Sequence, residues 1–276
     1  MPVLRALSEF YVLSSTMIHR ICFRNHRDAR TIRRRLARLV ADGYIRRSIT
    51  NVAISIRNAG PVYSPTERGC EALAVYTGDD TWLATNTRPP RIDRLYHWLD
   101  ISHVHATLRE AVARQPAVKR FRWINEWQPV GDEDGRPTIY VLHTQFAEGK
   151  NPLSCSPDAA FLLDVNGERR VHYVELDRAT NGARRTIASK VKGFAELART
   201  QGHRRHFPET NFDEFTVLLI TINRGYRDLL ALKRTGSAVR FMAQATRNDR
   251  RGTLQDRSPG CCSSMTSSSR TYSAIP

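Results

Sequence analysis

Apolar residues recur at helical spacing through the first quarter of the chain, then give way to short continuous runs in its middle. The first pattern predicts a helix over residues 3–12, with Leu4, Leu7, Tyr11 and Val12 inward. Leu13-Ser14-Ser15 supplies an N-cap before a second helix bearing Met17, Ile18 and Ile21. Asp28 caps a third helix, 29–42, which ends at Gly43. Ile32, Leu36, Leu39 and Val40 occupy one face of that helix. Tyr44 to Ile49 reads as a strand, Val52 to Ile56 alternates, and Val62-Tyr63 returns. Ser64-Pro65-Thr66-Glu67 matches a capping box with proline at the first helical position, so a further helix is expected through about Tyr76. Three helices, a β-hairpin and a closing helix predict a winged helix-turn-helix, whose third helix enters the major groove of DNA.

Residues 77–93 read as a linker by composition. A long helix follows from Arg94 to about Gln115. Val118 to Trp127 is a predicted strand. Residues 128–157 are rich in glycine, proline and charge, with a short strand at Thr138 to His143. Two apolar runs, Ala159 to Leu163 and Val171 to Val174, are too short for helices and predict paired strands across an Asn166-Gly167 turn. A helix from about Ala183 to Thr200, a buried strand at Phe215 to Ile222, a helix at Arg224 to Arg234 and a strand at Ala238 to Met242 complete the pattern. The serine-rich tail from about Ala245 has no apolar periodicity and is expected to be disordered. Its abrupt change in composition raises a frameshifted or truncated end. The expected class is α+β: a winged helix over 1–76, a linker over 77–93, an α/β domain over 94–244 and a tail over 245–276.

Charge sharpens the first half of this picture. The chain has 276 residues, 43 of them basic and 27 acidic, for a formal charge of +16. Such a balance points to a polyanionic partner. The first 50 residues hold eleven arginines against three acids, Glu9, Asp28 and Asp42. Arg30, Arg34 and Arg38 repeat at i, i+4 and i+8 on the third helix, away from its apolar face, and Arg27, Arg33 and Arg35 broaden the positive surface. Double-stranded DNA is the partner this predicts, with a solvated basic face or a protein-interaction module as the alternatives. No apolar run approaches 18 residues, so no membrane span is expected. Five scattered cysteines without zinc-like spacing fit reduced thiols and a cytoplasmic setting.

The candidate chemistry lies in the strand pair. Asp158 opens the first strand, and Glu175 and Asp177 close the second on one face, because residues two apart in a strand point the same way. Clustered carboxylates repel and suit a hard divalent cation, Mg²⁺ or Mn²⁺. The alternative is a sheet rim whose acids pair with Arg178, Arg184 and Arg185. Lys190 or Lys192 on the following helix can face the same acids. His97 and His105, eight apart on the long helix, are expected to be packed or solvent-facing. Contact with phosphate or support of the acids is the alternative for His97.

The order helix, three strands, helix, strand over 94–222 resembles the core of the PD-(D/E)xK nuclease superfamily. There Pro157-Asp158 and Glu175 fall at the motif positions. Asp177 stands where that motif has lysine, which puts cleavage in question; Lys190 or Lys192 is the candidate replacement, with a phosphate contact or a surface position the alternative for Lys190. Leu13-Ser14, Arg35-Leu36, Gly43-Tyr44-Ile45, Tyr63-Ser64-Pro65-Thr66, His97-Trp98-Leu99, Pro157-Asp158, Val174-Glu175-Leu176-Asp177-Arg178 and Lys190, taken in order, resemble the replication-relaxation family of bacterial plasmid and mobile-element proteins. The resemblance implies a DNA-binding protein of plasmid replication or DNA relaxation, with a nuclease-like domain that is active or inactive. A metal-dependent nickase or endonuclease, with Asp158, Glu175, Asp177 and Lys190 catalytic, is the alternative. A winged-helix transcriptional regulator is another.

Overall fold

A computed structural model of the chain describes residues 1–23, 28–48, 61–130, 140–147, 153–177, 183–221 and 239–245. Arg27, the predicted strand around Val52 to Ile56, Arg178, the predicted helix 224–234 and the tail lie outside the described residues. The architecture is mixed α+β. The first half contains α1 (Pro2–Phe10), β1 (Leu13–Ser14), α2 (Ser15–Cys22), α3 (Ala29–Ala41), β2 (Ile45–Ser48), β3 (Val62–Pro65) and α4 (Glu67–Thr77). Its three strands form a small antiparallel sheet in the order β1-β3-β2. Side-chain caps start the helices where expected: Ser14 accepts from the Met17 N–H, and Asp28 from the Arg30 N–H.

The expected capping box at Ser64 is displaced by two residues. Thr66 caps α4, its Oγ1 accepting from the Gly69 N–H at 3.1 Å and donating to the Gly43 carbonyl at 2.8 Å. Pro65 is held in β3 opposite Ile45, so it cannot begin a helix.

The second half is a five-stranded sheet in the order β10-β9-β8-β7-β4. Its strands are β4 (Val118–Asn125), β7 (Ala159–Val165), β8 (Glu168–Asp177), β9 (Phe215–Thr221) and β10 (Val239–Ala245). The first three pair antiparallel, and β8, β9 and β10 run parallel. The β7–β8 turn is built as the sequence predicts. Asn166 and Gly167 have φ of 54° and 90°, the left-handed pair that a two-residue hairpin of matching twist requires. A separate hairpin pairs β5 (Thr144–Ala147) with β6 (Leu153–Cys155), and a short α7 spans His203–His206. Of the strand expected at Thr138 to His143, residues 138 and 139 lie outside the described residues; Tyr140 bridges Pro129, and the described strand begins at Thr144.

Alternation divides the sheet into two apolar faces. Ala160, Leu162, Val171, Tyr173, Phe215 and Val217 pack with Phe194 and Leu197 of α6 (Ala183–Arg199). Phe161, Val174, Leu176 and Leu218 pack with Ile101 and Val104 of α5 (Ile92–Val112). Gly193 lets α6 lie against β6, since a Cβ there would stand 2.6 Å from the Ser154 carbonyl oxygen.

Helix α5 also belongs to the first half. Ser102 donates to the Phe10 carbonyl, Arg109 binds both Glu9 carboxylate oxygens, and Arg20 forks onto Glu110. Tyr11, at the end of α1, has φ of 67°, a conformation that costs a non-glycine residue about 1–3 kcal/mol. Packing offsets that cost: the buried Tyr11 ring sits between Trp98 and Trp127, and its hydroxyl donates to the Arg88 carbonyl. The stretch read as a linker holds a 3-10 turn at Asp80–Ala84, and α5 begins inside it. Residues 1–246 accordingly form one compact unit.

Candidate functional site

Two charged regions are candidates, and they are built differently. The first is the outer face of α3. Ile32 and Leu36 point into a core with Leu7, Phe10, Met17, Ile18 and Ile45. The helical period therefore turns Arg30, Arg33, Arg34 and Arg38 outward, and all four are exposed. Arg38 meets Asp42 at 3.7 Å, an exposed i,i+4 pair that leaves the face strongly positive.

The second region gathers around Asp158. Its backbone N–H donates to the Val174 carbonyl, which fixes it at the mouth of the β7–β8 pair. Its Oδ2 accepts from the Leu176 N–H at 2.7 Å. On one side lies Glu175, buried, with its carboxylate bonded to the ammonium of Lys190. Lys190 comes from α6, which crosses the face that Glu175 shares with Tyr173. Lys192 is exposed. On the other side lies His97 of α5, its Nε2 3.4 Å from Asp158 Oδ1 and 4.0 Å from Glu126 Oε1. Glu126, just after β4, accepts from the indole N–H of Trp98 and stands 4.0 Å from Arg94.

These neighbours set the proton distribution. Burial raises the Asp158 carboxyl, but Lys190 and then His97 outweigh it, and Asp158 is held below the usual carboxylate range. Burial, and then the Asp158 charge, push Glu175 upward, against the pull of Lys190. Glu126 rises for the same two reasons. Burial lowers His97, but Asp158 more than reverses this. Lys190 remains charged, because Asp158 and Glu175 overcome its desolvation. Two neighbouring carboxyls are thus driven apart, one ionised and one prone to hold a proton, a division suited to acid–base work.

Of the expected site residues, the structure joins Asp158, Glu175 and Lys190 electrostatically. Asp177 ends β8 in register with Thr221. Among the described residues, the expected trio Asp158, Glu175 and Asp177 is not the group whose donor atoms all lie within 4.8 Å of one another. The one group of three donors lying within 4.8 Å of one another there is His97, Glu126 and Asp158. Only the sequence alternative of His97 supporting the acids pointed this way. Nothing local marked Glu126, which reaches the site through the β4–β7 pairing. Among the described residues no helix is long and apolar enough to cross a membrane.

No curated protein and no solved structure matches the chain. A family model described as replication-relaxation matches residues 4–210, which span the first half, α5, the Asp158 cluster and α6. With well over half its length matched, the chain belongs to the replication-relaxation family.

Proposed function

We propose that this protein binds duplex DNA in plasmid or mobile-element replication or relaxation, through a winged helix-turn-helix whose α3 lies in the major groove. The observation that carries this reading is the outward arginine face of α3, set on a helix whose opposite face is locked into the core. Arg30, Arg34 and Arg38 then contact phosphates or guanine edges, and β2, with exposed Arg47, approaches the backbone. A mobility-shift titration of the full chain on origin-containing duplex tests it. Replacing Arg30, Arg34 and Arg38 by alanine should weaken binding sharply, and undiminished binding would sink the assignment.

A second reading, a PD-(D/E)xK-like domain that nicks DNA, is favoured by one contact. Lys190 reaches Glu175 beside Asp158, where a replacement for the lysine missing at Asp177 would stand. In this reading Asp158 stays ionised, Glu175 holds or releases a proton, and Lys190 steadies negative charge on a phosphate. Supercoiled plasmid incubated with the protein and divalent ions should be nicked by the parent but not by Lys190→Ala. No nicking by the parent under any divalent ion would leave DNA binding as the whole activity.

A further inference from the structure

We infer that His97, Glu126 and Asp158 form a binding site for one divalent transition-metal ion of the Zn²⁺, Co²⁺ or Mn²⁺ class. Three separate elements deliver the donors: α5, the end of β4 and the start of β7. The His97 Nε2 is shielded from solvent and makes no well-directed hydrogen bond, although it faces two carboxylates, Asp158 Oδ1 at 3.4 Å and Glu126 Oε1 at 4.0 Å. An imidazole so placed can give up its proton for a metal ion that the same two carboxylates would hold.

The spacing fits an ion. Two donors each about 2.1 Å from a tetrahedral metal stand about 3.4 Å apart. His97 Nε2 and Asp158 Oδ1 are 3.4 Å apart. Glu126 Oε1, at 4.0 Å from the same nitrogen, needs only a small side-chain shift. The Leu176 N–H holds Asp158 Oδ2 and leaves Oδ1 for the ion, whereas the Trp98 indole donates to Glu126 Oε1 itself, so the ion takes that oxygen's second lone pair.

The donor chemistry selects the class. One imidazole nitrogen with two carboxylates suits Zn²⁺, Co²⁺, Fe²⁺ or Mn²⁺ better than Mg²⁺, which prefers an oxygen shell. Three protein donors leave a coordination position open. Lys190 already compensates Glu175, so the ion sits on the α5 side of Asp158. This site is different from the all-oxygen trio expected at the ends of β7 and β8.

Calorimetry of the metal-stripped full chain with ZnCl₂, CoCl₂ and MnCl₂, without DNA, tests the inference independently of any DNA activity. One equivalent of ion should bind, and bound Co²⁺ should develop visible absorption bands. His97→Gln and Glu126→Gln should each weaken binding at least about tenfold, and His97→Gln should shift the Co²⁺ bands. Asp177→Asn should leave both unchanged. Circular dichroism shows which variants fold. If Glu126→Gln does not, His97→Gln and Asp177→Asn decide the matter. The inference is overturned by no saturable binding of any of the three ions, by unchanged binding in His97→Gln, or by loss in Asp177→Asn.

Discussion

The arginine face of α3 and the cluster around Asp158 are both dense in charge, yet they solve opposite problems. On α3, like charges lie side by side in water, where screening makes their repulsion tolerable and where a polyanion can still reach them. Around Asp158, unlike charges are taken out of water, so each needs a partner fixed by the fold. The comparison teaches that exposed charge is held in reserve for an external ligand. Buried charge must first be balanced by internal partners, and it can take an ion only where the fold makes several donors converge, as at His97, Glu126 and Asp158.

Removing one cation from each region should therefore give unequal results. Lys190→Met leaves Glu175 and Asp158 buried without their ammonium. Breaking a fully buried pair costs about 3–5 kcal/mol. The Lys190 side chain is 38% exposed, so solvent screening brings the expected loss to about 2–3 kcal/mol. The loss should also deepen as pH rises. Burial raises the folded Glu175 carboxyl above its unfolded value, so its favourable neutral form is complete in acid and is lost as pH climbs through the raised value. Denaturant melts of parent and variant at pH 5 and pH 8 read both effects. An unchanged midpoint at pH 8 would mean that the acids have other compensation.

Buried groups that stay neutral give a smaller effect of opposite sign. His105 stacks on Trp123 with centroids 4.3 Å apart, and burial pushes its pKa down to about 3. The unfolded chain takes up this proton below about pH 6.5 and the folded chain does not. Its contribution is thus complete above that pH and falls away as pH drops toward 3. Between pH 7 and 5 the loss is about 2 kcal/mol. His172, stacked on Phe161 and lowered by burial to about 4, adds to the same acid limb. His105→Phe keeps the stack and should flatten the fall in Tm between pH 7 and 5. A slope identical to the parent's would show that His105 is not held neutral.

Legibility follows the same division. The outward arginines, the Ser14 and Asp28 caps and the Asn166-Gly167 turn depend on neighbours within a few residues, and sequence displays such neighbours. Asp158, Glu175 and Lys190 were legible as candidates, because strand alternation and a following helix limit where they can point. His97 and Glu126 were harder. They join Asp158 only through the packing of α5 and the β4–β7 register, which no local pattern encodes. The cap of α4 shows the same limit in miniature. Ser64 and Thr66 are both good caps, and the pairing of Pro65 with Ile45 decides between them. Thr66→Ala should cost about 1 kcal/mol. Ser64→Ala should cost less, since the Ser64 hydroxyl is buried without a partner. A reversed order in thermal melts would restore the earlier cap.

The smallest expected change in stability belongs to α3. Replacing Arg34 by alanine should move the melting free energy by no more than about 0.5 kcal/mol, as at other exposed sites. A larger loss would make that arginine a structural residue and weaken the contrast.

The most direct test of the central claim is the salt dependence of duplex binding by the parent chain and by the Arg30, Arg34 and Arg38 triple alanine variant. If these side chains meet phosphates, each releases about one counterion, so the slope of log K against log salt should shrink by about 3 in the variant. Its melting temperature should stay close to the parent's. Parallel slopes with equal affinity would place the DNA elsewhere on the protein.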